Sequence, residues 1–396
     1  MSTAAATPAD PTRHFAFWPK RQPRELDTPD TSLWANLDIT HRRYADRPAF
    51  VFFDRVISYR ELFSSVEKLA GWLQQVAGVK KGDRVALCLQ NSPQFVIAYY
   101  AVLRADAVVV PVNPMNKAAE LTHYITDPVA RVAIVGSDLA AAWIAANQEV
   151  AATKPDMALQ HLLVTRYCDE MSNGALPAGG FPDAWRAWLD LTVDMPTYAT
   201  AWRDAMGASL TASAPTAGPD DLAVLPYTSG TTGLPKGCMH THRTIMHNVV
   251  SGAVWANGSS AVVSLAVVPM FHITGMLYGL HVPIYLGSCA VIMPRWDRDV
   301  AGRLISTYKV TSWTMVPTMM IDLLASPNVA QYDLSSLQYI GGGGAAMPQA
   351  VAQKLLDQFG LKFVEGYGLT ETAAPSHSHP PAAQALLLGG VRRVRV

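Results

Sequence analysis

The chain has 396 residues, of which 50% are hydrophobic and 16% are charged. This composition is typical of folded proteins with a large core and argues against general disorder. Basic residues (Lys and Arg) and acidic residues (Asp and Glu) number 31 each. Net charge therefore gives no reason to expect a nucleic acid or an anionic membrane surface as a partner. The length allows two or three compact units.

The cysteines and the N-terminal residues indicate the compartment. Four widely spaced cysteines form neither a metal-ligand pattern nor a disulfide framework, which predicts a reducing, cytoplasmic location. Residues 1–27 contain no continuous apolar stretch, so we interpret them as an N-terminal extension and not a secretory signal. No acidic or basic residue occurs from Thr244 to Pro294, but prolines and glycines interrupt this segment. We expect buried strands and helices there, and not a membrane span.

The first half of the chain predicts alternating helices and strands. Ser58 and Glu61 form a capping box at one helix start, and Asn91-Ser92-Pro93 begins a second helix. Strands are predicted at 85–89, 108–112 and 131–135. This alternation implies right-handed crossovers and a parallel sheet covered on both faces. Residues 170–219 are richer in Gly, Ala, Pro and Trp, which predicts an irregular or peripheral insertion.

The second half repeats the alternation. Strands are predicted at 223–227, 262–268, 290–293, 312–316 and 337–340. Helices are predicted at 239–251, 299–308, 318–325 and 348–359. We therefore predict an α/β fold with two doubly wound, mostly parallel sheets flanked by helices.

One loop carries most of the chemical information. Residues 227–237 read Tyr-Thr-Ser-Gly-Thr-Thr-Gly-Leu-Pro-Lys-Gly. Glycines let backbone amides approach an anion, hydroxyls donate to phosphate oxygens, and Lys236 adds a mobile positive charge. Between a strand and a helix, such a turn is typical of phosphate binding. The alternative is a flexible surface loop. It is not the P-loop of GTPases, because Pro235 stands where that motif has glycine.

The order Thr228 to Gly233, followed by Pro235-Lys236-Gly237, resembles the phosphate loop of the adenylate-forming superfamily, most of all that of fatty acyl-CoA synthetases. A second segment, Glu-Gly-Tyr-Gly-Leu-Thr-Glu at 365–371, resembles the adenine- and magnesium-binding segment of the same superfamily. Alone, this segment is equally typical of a tight turn with a surface acid. The resemblance covers residues 33–372.

The resemblance implies roles for the matching residues. Lys236 and the loop hydroxyls hold the β- and γ-phosphates of ATP, Tyr367 stacks on adenine, and Thr370 meets the α-phosphate. Glu371 shares Mg²⁺ with Thr228, and Glu365 varies in role between members. The expected catalytic residues are Lys236, His272 and Glu371, and the expected acyl pocket is His272, Gly342 and Gly343. The expected nucleotide-binding residues are Thr228, Ser229, Gly230, Thr231, Thr232, Gly233, Lys236, Gly344, Ala345, Ala346, Glu365, Gly366, Tyr367, Gly368 and Thr370.

Four histidines need separate interpretation. The apolar neighbours of His272 are by themselves typical of a satisfied core histidine, whereas the resemblance places it at the carboxylate and acyl site. His240, His242 and His247 have no zinc-like partner set, and we interpret them as helix-face residues.

The implied activity is ATP-dependent activation of a carboxylic acid to an acyl-adenylate, which full-length relatives then convert to an acyl-CoA. A fatty acid ranks first as substrate and an aryl acid second. ATP, Mg²⁺ and coenzyme A are the implied cofactors and co-substrates. We expect no nucleic-acid partner and no transmembrane segment, and a homodimer is left open.

The resemblance ends before the chain does. Superfamily members continue with barrel strands, a ribose-binding aspartate and a small mobile domain with a catalytic lysine, and residues 375–396 match none of these. We therefore expect an AMP-binding (adenylation) domain at 28–374 without the barrel portion and the small C-terminal domain, and a disordered non-family tail. The Ala, Pro and Arg bias of the tail is typical of a shifted reading frame. The alternative function is a truncated, non-catalytic nucleotide-binding remnant that forms no acyl-CoA.

Overall fold

The computed structural model of the chain describes residues 12, 15–16, 18–20, 22–228 and 233–380. The strands are β1 Pro48–Phe52, β2 Arg55–Ser58, β3 Arg84–Cys88, β4 Val108–Pro111, β5 Val132–Gly136, β6 His161–Thr165, β7 Ala199–Ala201, β8 Leu222–Val224, β9 Tyr227–Thr228, β10 Lys236–Gly237, β11 His240–Thr241, β12 Val263–Ala266, β13 Cys289–Ile292, β14 Ser312–Met315, β15 Tyr339–Gly342, β16 Phe363–Leu369 and β17 Ala374–Ser378. The helices are α1 Trp34–Tyr44, α2 Tyr59–Gln75, α3 Pro93–Arg104, α4 Ala118–Thr126, α5 Ala140–Thr153, α6 Arg186–Leu189, α7 Trp202–Gly207, α8 His242–Trp255, α9 Ile273–Met276, α10 Val282–Leu286, α11 Arg298–Tyr308, α12 Pro317–Leu324 and α13 Gln349–Phe359.

Two large sheets organise the described residues. The first sheet has the strand order β11-β8-β4-β3-β5-β6-β7 and the second β17-β16-β15-β14-β12-β13-β1-β2. The first is parallel except at the β11–β8 edge, and the second is parallel from β16 to β1 with an antiparallel strand at each edge. Strands β4 and β5 are apolar and every residue in them is buried. This is expected in a parallel sheet, because helices cover both of its faces. The predicted fold class is confirmed.

Helix α3 joins the two sheets into one core. All of its residues are buried, and those from Phe95 to Leu103 belong to a hydrophobic cluster that also includes residues of both sheets. The hydroxyls of Tyr99 and Tyr100 lie 3.1 and 3.0 Å from the ring nitrogens of His281, which belongs to a π-helical turn at Leu277–His281. Residues of both sheets therefore contribute to one hydrophobic cluster around α3.

The predicted helix starts are confirmed. Ser58 caps α2: its hydroxyl accepts the backbone N–H of Glu61, whose carboxylate accepts the backbone N–H of Ser58 at 2.8 Å. Ser92 caps α3 by accepting the N–H of Phe95 at 3.2 Å. Both bonds satisfy N–H groups that a helix start leaves without a partner.

The insertion at 170–219 is less peripheral than predicted. It supplies β7, which pairs in parallel with β6 and extends the first sheet. It also buries Trp185, Trp188 and Trp202. These large side chains anchor an otherwise irregular segment because each buries much apolar area.

The prediction of a disordered tail is wrong for residues 375–380. β17 pairs antiparallel with β16, and the indole of Trp255 donates to the carbonyl oxygen of His379 at 3.0 Å. The edge of β16 offers backbone hydrogen-bonding groups whatever the composition of the partner segment. Residues 381–396 lie outside the described part of the chain.

The charge-free segment from Thr244 to Pro294 forms buried strands and helices, as predicted. It holds most of α8, then β12, α9, α10 and β13. Among the described helices, none combines the length and the apolar character needed to cross a bilayer.

Candidate active site

The glycine- and threonine-rich loop closes a short hairpin. Thr228 on β9 pairs with Lys236 on β10 in an antiparallel register, and Lys236 and Gly233 are exposed. The loop therefore joins two strands, and α8 begins only at His242, after β11. This corrects the expected strand-to-helix turn, because β9 pairs antiparallel with β10. Of the predicted phosphate-binding residues, Ser229, Gly230, Thr231 and Thr232 lie outside the described residues.

Helix α4 supports one side of the hairpin. The Nε2 atom of His123 donates to the carbonyl oxygen of Pro235 at 2.7 Å. The hydroxyl of Tyr227 donates to Asp127 at 2.6 Å, and its ring lies 4.8 Å from that of Tyr124. Burial and the Asp127 carboxylate raise the pKa of Tyr227, so its hydroxyl remains a donor. Sequence reasoning missed His123, because nothing local marks a contact across more than a hundred residues.

His240 lies on the other side of the hairpin. It is a buried β11 residue, and its Nε2 atom lies 2.7 Å from the carbonyl oxygen of Thr370. Burial lowers the pKa of His240, while the Thr370 carbonyl and the Glu371 charge oppose that shift. The helix-face prediction for His240 is therefore wrong, because strand pairing turns its ring toward the 370–372 turn.

The other two nearby histidines are on α8, as predicted. The Nδ1 atom of His242 accepts the backbone N–H of Leu33 at 3.1 Å, and burial lowers the pKa of His242 to about 4. His247 is exposed on the same helix.

The Thr370–Thr372 turn is followed by an unusual backbone. Ala373 and Ala374 have φ values of 57° and 90°, a region that disfavours residues with a β-carbon. The amide of Asn248 donates to the carbonyl oxygens of Thr372 at 2.6 Å and Ala373 at 2.8 Å. Helix α8 therefore holds the strained turn in place. Asn248 was not predicted; it directly follows exposed His247 in the chain and lies on the buried face of α8.

Glu371 and Tyr367 present their side chains to solvent beside this turn. Glu371 is exposed, and Tyr367 has 61% of its surface accessible. Burial raises the pKa of Cys238, and the nearby Glu371 carboxylate raises it further. Cys238 directly follows β10, and the contact of His240 with Thr370 joins the same two segments of the chain. The structure thus brings the two predicted motifs together.

The glycines at the end of β15 are required by close packing. A β-carbon at Gly342 would overlap the carbonyl oxygen of Met315, and one at Gly343 would overlap that of Gly366. Glu365 accepts the backbone N–H of Met347 at 2.9 Å and so ties this loop to β16. The predicted nucleotide-binding residues Gly344, Ala345 and Ala346 follow this packed region and are exposed.

His272 caps the short helix α9. Its Nδ1 atom accepts the backbone N–H of Thr274 at 3.3 Å. The ring keeps solvent contact, but the surrounding protein disfavours its charged form and lowers the pKa of His272. Buried Asn91, at the end of β3, accepts the N–H of Met270 at 2.7 Å and donates to the carbonyl oxygen of Val268 at 3.1 Å. Asn91 therefore positions the segment that carries His272, a contact that sequence reasoning missed.

A cavity of about 460 Å³ runs beside this segment. It lies between α8, the π-helical turn and the second sheet, and its lining includes Tyr278, Val282 and Tyr339. His272, Gly342 and Gly343, the residues of the expected acyl pocket, are not among its lining residues. The cavity extends along β12 and β14 to Val268, Gly275 and Thr314. Val268 and Gly275 are close in sequence to His272, and Thr314 pairs with Gly341, the residue before Gly342. Small residues on α8, Gly252 and Ala253, leave this space open.

The chain matches the AMP-binding enzyme family over residues 37–391, so the match extends past residue 374, the expected end of the domain. It is 33% identical over 372 residues to a long-chain-fatty-acid–CoA ligase of Bacillus subtilis (strain 168), covering 92% of this chain and 64% of that protein. A long-chain-fatty-acid–CoA ligase of Escherichia coli O6:H1 is also 33% identical over 370 residues, with coverages of 90% and 64%. The chain thus spans 64% of the length of these curated relatives.

The solved structures agree in fold. A long-chain-fatty-acid-CoA ligase from Archaeoglobus fulgidus superposes with a TM-score of 0.73 and 24% identity, covering 90% of this chain and 68% of that chain. At this identity, the likeness supports the shared architecture alone.

Proposed function

The chain belongs to the AMP-binding enzyme family, and from this premise we propose that it activates a carboxylic acid with ATP. A carboxylate oxygen attacks the α-phosphorus of ATP, the bond from that phosphorus to its bridging oxygen breaks, and pyrophosphate leaves. The thiol of coenzyme A then attacks the acyl carbon, and AMP leaves as the thioester forms. The observation that carries the proposal is the contact of His240 with Thr370, which joins the Lys236 hairpin to the Glu371 turn.

In this proposal the exposed groups of the two loops bind the nucleotide. Lys236 and Thr228, opposite each other in the hairpin, hold the β- and γ-phosphates. Thr370 meets the α-phosphate, and exposed Tyr367 offers a flat ring to adenine. The exposed loop at 344–346 forms the wall of the adenine site opposite Tyr367. Its small residues let the flat adenine ring approach the backbone closely. Fixed donors at these positions stabilise charge as it develops in the transition state.

The proposed metal ligands fit Mg²⁺. Magnesium in nucleotide sites is held by one or two carboxylates together with substrate phosphates and water. Glu371 supplies one exposed carboxylate, and Thr228 supplies a hydroxyl from the paired hairpin. When bound, the ion would neutralise negative charge on the phosphates.

A fatty acid is the proposed substrate. The cavity beside His272 falls within the usual volume range of small-molecule sites, and no charged side chain lines it. The names of the Bacillus subtilis and Escherichia coli relatives support the same class. An aryl acid is the second candidate, because the rings of Tyr278 and Tyr339 line the cavity and favour a flat substrate.

The test is pyrophosphate release from Mg·ATP across a panel of saturated fatty acids, aryl acids and amino acids, with mass detection of the acyl-adenylate. Release that depends on fatty acids supports the proposal, and release with aryl acids alone supports the second candidate. Binding of Mg·ATP without release for any acid would contradict the activity and favour a nucleotide-binding remnant. Lys236→Ala serves as the control for site-specific release.

A further inference from the structure

Two histidines hold the backbone of the two proposed ATP loops at equivalent points. The Nε2 atom of His123 lies 2.7 Å from the carbonyl oxygen of Pro235, the residue before Lys236. The Nε2 atom of His240 lies 2.7 Å from the carbonyl oxygen of Thr370, the residue before Glu371. A carbonyl oxygen can only accept, so both histidines donate through Nε2–H.

We propose that His123 and His240 are positioning residues that orient Lys236 and Glu371 for the reaction. Neither histidine belongs to the two motifs by which the sequence resembles its family. The inference rests on the proposed function, because it assigns Lys236 to phosphate binding and Glu371 to the metal.

The geometry around His240 suits a rigid support. The residue is 3% exposed, so its hydrogen bond to Thr370 is shielded from water. Its ring also lies 3.3 Å from the hydroxyl of Thr244 and 3.4 Å from the sulfur of Cys238. Its strand β11 pairs with β8 of the first sheet. The 370–372 turn is thus attached to the core of the protein through His240 as well as through its own strand.

The turn that His240 holds is closed by the Thr372 hydroxyl, which accepts the backbone N–H of Leu369 at 3.0 Å, and strained backbone follows it. The positive φ values of Ala373 and Ala374 are unfavourable for alanine and persist only where neighbouring contacts hold them. Asn248 holds the carbonyl side of the turn after Glu371, and His240 holds the side before it. Loss of the His240 bond therefore removes the contact that fixes Thr370, the residue before Glu371, to the first sheet.

The geometry around His123 fits the same role for the hairpin. His123 on α4 donates to Pro235, just before β10, and Asp127, just after α4, accepts from Tyr227 on β9. The His123 ring also makes an edge contact with the Tyr227 ring at 5.7 Å. Because Tyr227 precedes Thr228 and Pro235 precedes Lys236, the two contacts set the direction in which both side chains leave the hairpin.

The two histidines should affect different measurements. His123 acts on Lys236, so its loss should weaken binding of the triphosphate. His240 acts on Glu371, so its loss should raise the Mg²⁺ concentration needed for half-maximal pyrophosphate release. Each change should be about tenfold, the effect of one net hydrogen bond.

The experiment compares His123→Leu and His240→Leu, which remove the donor, with His123→Gln and His240→Gln, whose amide nitrogen restores a donor near the Nε2 position. His247→Leu, an exposed histidine on α8, is the matched control. The readouts are Mg·ATP affinity by calorimetry, the Mg²⁺ dependence of pyrophosphate release, and amide hydrogen exchange in segments 233–241 and 366–374. We expect faster exchange in 233–241 for His123→Leu and in 366–374 for His240→Leu, with recovery in the glutamine variants and no change in the control.

Unchanged exchange and unchanged constants in both leucine variants would overturn the proposal. So would a general loss of thermal stability with equal effects on every readout and no recovery by glutamine, because that pattern indicates a role in folding alone. A wild-type protein that releases no pyrophosphate with any acid contradicts the proposed function instead. Hydrogen exchange in the two segments still decides the role of the histidines in that case.

Discussion

Thr228 and Lys236 are directly opposite each other in the β9–β10 hairpin. Side chains of an opposed antiparallel pair lie on the same face of the ladder, so the hydroxyl and the ammonium group point to one side. One anion can therefore contact both groups. Seven residues separate Thr228 from Lys236 in sequence, and the hairpin pairing brings the two side chains together.

Lys236→Ala should weaken Mg·ATP binding by roughly ten- to a hundredfold, because a charged hydrogen bond is typically worth about 1.5–3 kcal/mol. Calorimetric titration measures the change. Leu234→Ala is the control, because Leu234 is 70% exposed in the same loop and carries no charge. Equal affinity of Lys236→Ala and wild type would remove Lys236 from the site.

Glu371→Gln keeps the size of the side chain and removes its charge. If Glu371 holds Mg²⁺, the rate of acyl-adenylate formation should fall by roughly 10²–10³, the usual effect of losing one preorganised stabilising group. The comparison is made at limiting Mg²⁺ by pyrophosphate release. Glu371→Asp, which keeps the charge, should retain more of the rate. An unchanged rate in Glu371→Gln would indicate a purely structural turn.

Ser312→Phe should shift the preferred acid to shorter chains. Ser312 lies at the start of β14 and lines the cavity, whereas His272 adjoins the opposite end of the neighbouring strand. A phenyl ring there would shorten the space available to an acyl chain without reaching the carboxylate end. The measurement is relative pyrophosphate release with saturated acids of increasing length. Ser64→Phe is the control, because Ser64 is an exposed residue of α2. An unchanged length preference in Ser312→Phe would argue against an acyl chain in this cavity.

Asp138 should make stability fall as pH rises. Burial raises its pKa from 3.8 to about 6, and Arg295, 3.3 Å away, only partly opposes this. The folded protein therefore binds this proton more tightly than the unfolded chain does. As the pH rises from about 4 to about 7, ionisation of Asp138 should remove about 2–3 kcal/mol from the free energy of unfolding. Asp138 follows β5 and Arg295 follows β13, so the pair connects the two sheets.

Asp138→Asn has no proton to lose at this position. Its stability relative to wild type should therefore increase by the same amount between about pH 4 and about pH 7. Urea unfolding at several pH values measures the difference, and Asp194→Asn, on the exposed surface, serves as the control. Parallel stability curves for Asp138→Asn and wild type would show that the pKa of Asp138 is not raised in the folded state.

Local signals in the sequence predicted the elements well. The capping box at Ser58 and the Ser92-Pro93 start were readable because a helix start requires backbone N–H acceptors within three residues. The apolar runs that became β4 and β5 were readable because both faces of a parallel sheet are buried. The insertion and the tail were misjudged, because β7 and β17 form only where a neighbouring strand edge is available.

The sequence by itself determined the α/β class, the two motifs and their chemistry, because glycine, hydroxyl, lysine and carboxylate groups have properties that do not depend on distant residues. Only the tertiary structure decided which side chains support those motifs. His123, His240, Asn248 and Asn91 all act on backbone groups more than 100 residues away in the chain. Such contacts leave no periodicity or local pattern, since they arise only when separate elements pack. The position of the cavity likewise depends on how α8 lies against the second sheet.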